Sequence, residues 1–388
     1  MTNKTSQSIQ VSDNLIVLPT SLRHILSAFR NSSVSQGQQA EKFRPFVKLV
    51  RPPAHRGHRM GGEEVRQQEV LIELRRTKFA RDGVNPEPGK HVATARMGHA
   101  AVASNTEELI NHCLDTLASL NTDCLLTLFA MIQVARENNG TVSDDIADIG
   151  RRRGWKPGEL DGRGRKTAKT RRERLREHVR LLSEVEFFIT ELSDNPGHFV
   201  TLPLFQYLGS GGKHGSHRNG QCFYNFHPAL WKQMTAKQRA VFLDNGVLTA
   251  DPRQHEWPFR LAWYMSSRWA PSWVAKTLYS RGGRLTERLG VLLVGGGIEF
   301  HNQLHKQGRK WLRRTFRKAL DKLQKWVPRS VIGGYEIEEH AKSPLQDRVT
   351  FWPSEIVANQ LTASRSKSIA KSIARQSGRT TVDAKAIT

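Results

Sequence analysis

Apolar residues along this chain keep helical spacing in several separate stretches. From Glu107 through Ala135 they recur on one face and predict helix at the start of a domain. Leu175, Val179 and Leu182 mark one side of a later helix, and Leu312, Phe316, Ala319 and Leu323 mark one side of another. Ahead of each stands a short apolar triple at i, i+4, i+7. The first is Val142, Ile146, Ile149 around the N-cap Ser143; the second is Leu285, Leu289, Leu292 around Thr286. Behind each comes a pattern that predicts a hairpin. The first runs EFFIT, the turn Asp194-Asn195-Pro196-Gly197, then HFVTLPLF; the second runs SVIGGYEIEEH, a loop, then DRVTFW. Between the two sets, Trp257–Arg268 and Pro271–Tyr279 predict aromatic core helices, with their tryptophans packed inward rather than stacked on bases.

Short helix, basic helix and two-stranded wing, in that order and twice over, predict a mainly α fold with small β wings (α+β). The expected organisation is two tandem winged helix-turn-helix domains, at 105–210 and 222–357. Residues 1–104 are expected to be partly disordered. They include a Ser/Gln/Gly stretch at Asn31–Ala40, a basic loop at Arg51–Gly62 and a short strand or helical turn at Val70–Glu73. The Gly/Ser-rich Gln206–Gln221, centred on 211–221, reads as a linker or loop, and 358–388 as a basic tail.

Charge adds the direction of function. The 388 residues carry a formal net charge of +24, which attracts polyanions. The surplus is clustered: Arg151–Arg180 holds 13 Lys/Arg against four acids, and Lys306–Trp326 holds nine against Asp321. The longest near-apolar run, Leu125–Ala135, contains Gln133 and falls far short of the ~20 residues of a membrane span. The start, MTNKTSQSIQ, lacks the charged and apolar regions of a secretory signal. Cys113, Cys124 and Cys222 form no C-x-x-C and read as reduced thiols. A cytoplasmic, DNA-associated protein without membrane contact is the expectation.

In the second basic helix, an inward face of Leu312, Phe316, Ala319 and Leu323 puts Lys310, Arg314, Arg317 and Lys318 on the opposite arc, beside Gln307. The bland alternative is a solvated helix face. Such faces usually mix signs, whereas like charges at i, i+4 here repel each other without compensation. A phosphate partner resolves that repulsion. The first basic window is less uniform. Its candidates for DNA are Arg165, Lys166, Lys169, Thr170, Arg174 and Arg180, but Glu173 and Glu177 share their helix.

Little in the chain demands catalysis, and no metal or cofactor is expected. A nicking enzyme would need a Tyr nucleophile, with Tyr279 or Tyr335 as candidates, and closely spaced metal-binding histidines. There is no H-x-H; His214/His217 and His301/His305 are closely spaced pairs. Gly209-Ser-Gly-Gly-Lys213 does not complete a phosphate-binding P-loop motif. Asp144, Asp145 and Asp148 suit the first turn of a helix better than a metal cluster.

The stretches TVSDDIADIG, TAKTRRERLREHVRLLSEV, CFYNFHPALWKQM, PFRLAWYMSSRW, GGRLTERLGVLL and KWLRRTFRKALDKLQKW together resemble the plasmid replication initiators that bind iterons through two winged-helix domains. The resemblance covers roughly 110–355 and is one of architecture rather than of invariant motifs. It implies that the first unit serves dimerisation and backbone contact while the second reads the major groove through Arg313, Arg314, Arg317 and Lys318. It also implies double-stranded DNA, host replication proteins (helicase, initiator) and a homodimer partner. The chain departs from that family in its long N-terminal region and in an insertion between Ile149 and Lys166. A transcriptional repressor with the same folds and a Tyr-dependent relaxase or recombinase are the alternative readings.

Overall fold

The computed structural model describes residues 14–19, 22, 29–44, 47–50, 69–79, 86–98, 106–143, 146–156, 159, 171–184, 186–189, 200–203, 205–211, 221–228, 231, 240–269, 283–326 and 329–363. The elements begin with β1 (Leu15–Pro19), α1 (Gln36–Phe43), β2 (Val47–Val50), β3 (Glu69–Phe79) and β4 (Pro86–Gly98). Next come α2 (Thr106–Ser119), α3 (Thr122–Glu137), β5 (Thr141–Ser143), α4 (Ile146–Arg152) and α5 (Arg171–Glu184). Strands β6 (Glu186–Ile189), β7 (Val200–Pro203), β8 (Phe205–Gly211), β9 (Gln221–Phe226) and β10 (Ala240–Asp244) follow. The chain then forms α6 (Glu256–Trp269), β11 (Leu285–Arg288), α7 (Leu289–Gly295), α8 (His301–Gln324), β12 (Ile332–Glu338), β13 (Arg348–Pro353) and α9 (355–363). Among the residues whose burial is described, most buried apolar side chains lie on helices, and the sheets have two to five strands, so the class is α+β. The expected basic loop at 51–62 and aromatic helix at 271–279 lie outside the described residues.

Two stretches repeat one order of elements. The first unit runs α3, β5, α4, α5 and, after β6 and β7 which join another sheet, β8 and β9; its sheet has the order β5-β9-β8. The second runs α6, β11, α7, α8, β12, β13, and its sheet has the order β11-β13-β12. Each is helix, strand, two helices and two strands, with the last strand in the middle of the sheet. Val142–Ser143 and Leu285–Thr286, expected to lead into the short helices, are in strands instead; α4 starts at Ile146 and α7 at Leu289. The sheet partners β9 and β13 hold these residues extended, an influence no local period reveals.

The first hairpin also lies elsewhere than expected. β6 and β7 pair as predicted, but within a five-stranded sheet of order β2-β3-β4-β6-β7. The strand beside β5 is β9, with β8 on its far side, and both are built from residues that read as linker and as the start of the second domain. Their register starts at Phe205 opposite Phe226, both buried, with ring centroids 5.3 Å apart. That apolar pair anchors a ladder whose backbone hydrogen bonds need no side chains, so glycine content did not prevent strand formation.

The N-terminal region is more integrated than its composition suggested. Leu15-Ile16-Val17-Leu18 is buried on both faces as β1 pairs with β10. Phe29 and Phe43 join the same core, and a Ser35/Gln38 capping box starts α1 inside the stretch read as polar and irregular. The two units share that core. Phe129 of α3 meets Phe259 and Trp263 of α6, with ring centroids 5.5 and 5.1 Å apart. Trp263 and Trp269 are fully buried, as expected for core tryptophans.

Polar groups close the same junction. Thr122 Oγ1 donates to Glu256 Oε1 at 2.6 Å, and the buried Arg260 pairs with Glu256 at 3.2 Å. Arg260 Nη2 also donates to the Phe29 carbonyl at 2.8 Å and to Thr122 Oγ1 at 2.9 Å. A buried guanidinium is tolerated only when paired and hydrogen-bonded, and these partners meet that demand. Residues 29–32 are thereby held between the units.

Candidate nucleic-acid interface

Helix α8 is split into a buried and a charged face. Leu312, Phe316, Ala319, Leu320 and Leu323 are buried against the unit's interior. Gln307, Lys310, Arg314, Arg317 and Lys318 are exposed, as the helical period predicted, together with Lys306 and Arg309. The turn leading to α8 depends on glycine. A Cβ at Gly295 would stand 2.2 Å from the Tyr264 ring, and Gly297 has φ +64°. The helix itself is broken at Gly308 (φ 79°, ψ 179°), so the regular cationic segment starts at Arg309.

Lys310, Arg314 and Lys318 have no ion-pair partner among the described residues, and they lie one turn apart along the helix. Arg317 is different: its Nη2 meets Glu339 Oε1 at 2.6 Å. Arg313, which the family resemblance placed among the readers, faces the β12–β13 loop instead. Its Nε and Nη2 donate to the two oxygens of the buried Asp347 at 2.7 and 2.8 Å, and Nη2 also donates to the His340 carbonyl at 2.7 Å. Nη1 stands 3.0 Å from Glu339 Oε2. The hydrogen bond to Asp347 raises the Arg313 pKa further, and these bonds make the cation a fixed strut between α8 and the β12–β13 loop. Its position one residue before Arg314 turns it through about 100°, off the outward strip.

On α5, Leu175, Val179 and Leu182 are buried as expected, and Arg174 and Arg180 are exposed. Arg165, Lys166, Lys169 and Thr170 lie outside the described residues. Arg174 borders a cleft of about 470 Å³ that also receives Arg30, Glu177, His178 and Arg253. Behind the cleft is a polar network that sequence reasoning missed. Arg153, itself buried, pairs with Asp123 at 2.7 Å and donates to Thr127 Oγ1 at 3.1 Å; Thr127 Oγ1 lies 2.9 Å from His178 Nδ1. Burial pushes His178 down to about 4 and so keeps it neutral. Burial alone would raise the Asp123 carboxyl, but the charge and hydrogen bond of Arg153 outweigh it and hold it below the ordinary range. The only sequence signal for this cluster was polar residues inside apolar helices.

The groups considered for chemistry are differently placed. Tyr335 donates to Asp321 Oδ1 at 2.6 Å, and burial together with that bond pushes its hydroxyl up to about 12. Activating a nucleophile requires the opposite shift. Tyr279 and the His214/His217 pair lie outside the described residues. His301 and His305 are exposed, and no group of three or more His, Cys, Asp or Glu able to hold a metal occurs among the described residues. Asp148 pairs with Arg151 at 2.9 Å in α4, while Asp144 and Asp145 lie outside the described residues. Cys124 is buried, and burial raises its thiol pKa. Among the described residues no helix is long and apolar enough to cross a membrane.

No protein-family model matches the chain, and no curated protein matches it. Among solved structures it is similar to a selenomethionine derivative of domains 2 and 3 of RctB, with 12% identity over 86% of this chain and 98% of that one. The TM-score is 0.38, and backbones that differ this much carry no argument about fold or function.

Proposed function

We propose that this protein binds double-stranded DNA sequence-specifically through two winged-helix units and initiates replication at a plasmid origin without chemistry of its own. The observation that carries the reading is α8: an exposed strip of Lys310, Arg314 and Lys318 over a buried apolar face, inside a helix–strand–helix–helix–strand–strand unit. An α-helix of this kind fits the major groove, where Arg forms bidentate bonds to guanine O6 and N7. The adjoining Lys306 and Arg309 suit phosphates, which set register and supply salt-dependent affinity. Origin binding, recruitment of host helicase and initiator, and homodimerisation through the first unit come from the family resemblance.

Footprinting across the DNA around the protein's own gene tests the reading. Protected direct repeats are the expected result, and a lone operator over the promoter would favour the repressor instead. Incubation with supercoiled origin DNA and Mg²⁺ should leave the DNA uncut. A nick would restore the relaxase reading.

A further inference from the structure

Within this DNA-binding reading, we propose that Glu339 sets specificity: it holds Arg317 back from the phosphate backbone and keeps it aimed at a base edge that accepts two hydrogen bonds. The geometry is a relay of alternating charges. The buried Asp347 fixes Arg313 through two hydrogen bonds, Arg313 Nη1 fixes one oxygen of Glu339, and the other oxygen holds Arg317 Nη2 at 2.6 Å. An exposed ion pair is usually weak because both side chains must be ordered to form it. Here the carboxylate is already ordered by Arg313, so that cost falls mainly on Arg317.

The surroundings make the pair selective. Lys310, Arg314 and Lys318 make no ion pair among the described residues. Arg317, on the wing side of the same helix, is the one member of the strip joined to a carboxylate. A phosphate oxygen offers Arg317 the same charge that Glu339 already supplies, so the exchange gains little. Glu339 engages Nη2 alone, so the rest of the guanidinium fork stays free to meet the two coplanar acceptors of guanine, O6 and N7, without giving up that pair. Specificity can arise from weakening the wrong complex as well as from strengthening the right one.

The test is Glu339→Gln in the full-length protein, titrated with a footprinted repeat and with a scrambled duplex over a salt series. Affinity for the scrambled duplex should rise roughly two- to fivefold, the scale of one surface pair. Its salt slope should steepen by about 0.9, one further phosphate contact. Affinity for the repeat should change less than the scrambled value, so the specificity ratio falls. In an Arg317→Ala background the same substitution should have no such effect. Unchanged circular dichroism and melting are expected, because Arg313 keeps Asp347.

Equal gains on both duplexes, no gain on either, or a loss confined to the repeat each overturn the proposal. The last would make Glu339 itself a base reader. A wild-type protein that binds neither duplex removes the DNA-binding reading and the proposal with it. Specific wild-type binding with an indifferent Glu339→Gln removes the proposal alone.

Discussion

Helices α5 and α8 are the same helix with different surfaces. Aligning Leu175, Val179 and Leu182 with Leu312, Phe316 and Ala319 brings all three buried pairs into register. On that alignment the open cations Lys310 and Arg314 correspond to Glu173 and Glu177, and exposed Lys318 corresponds to buried Leu181. The strip that is cationic in the second unit is acidic and partly covered in the first, where Glu177 and Leu181 face the cleft beside Arg30 and Arg253. One skeleton therefore presents two surfaces, and clustered charge in the sequence does not by itself identify the reading face. The first unit's surplus lies mainly ahead of α5, whereas the second unit's lies on the helix.

Changes to the skeleton should be the largest and should not distinguish the units. Leu175→Ala and Leu312→Ala each remove a fully buried side chain and should cost about 2–5 kcal/mol, read by urea denaturation. A much smaller cost at one of them would break the equivalence.

The next effect belongs to the first unit alone. His178 is neutral in the fold with a pKa near 4 against 6.5 for an ordinary histidine, while Thr315 occupies the matching place in α8. As pH falls from 6.5 towards 4 the unfolded chain gains a proton that the folded chain refuses, so stability drops. The full loss should approach about 3 kcal/mol, and the lowered pKa of Asp123 adds to it in more acid solution. Urea titrations at successive pH values read this directly. His178→Gln should flatten the dependence across that window, and a slope that survives would assign it elsewhere.

Surface changes should then separate the units. Arg314→Ala should lower affinity for a specific duplex by about 1–3 kcal/mol and affinity for random DNA far less. Arg180→Ala should weaken both duplexes by a similar, smaller factor, as loss of a phosphate contact does. Gel-shift or anisotropy titrations at one salt concentration compare all four values. If Arg180→Ala removes discrimination and Arg314→Ala does not, the first unit is the reader.

Much of the second unit is legible in its residue pattern. The inward face of α8, its outward strip and the wing strands at 330–340 and 347–352 all follow from period and turn chemistry, and each is found in place. The aromatic helix at Trp257–Arg268 is equally plain. The first wing is not, because Gln206–Gln221 carries the glycine content of a loop while its strands are fixed by β5 and by the Phe205–Phe226 pair. The family resemblance placed Arg313 among the readers, and no local pattern shows that a buried Asp347 lies across from it.

By itself the sequence determined what repeats locally: which helices exist, which side of each is apolar, and where cations accumulate. Those properties depend on residues three or four apart, whose side chains meet within one helix. Only the tertiary structure decided which strands close each sheet, that Leu15–Leu18 and Phe29 complete a core shared by both units, and which cations are already matched by acids. Those outcomes depend on groups such as Phe29 and Arg260, or Arg317 and Glu339, that are far apart in the chain. Their attraction acts only after folding has brought them together, so no local pattern records it.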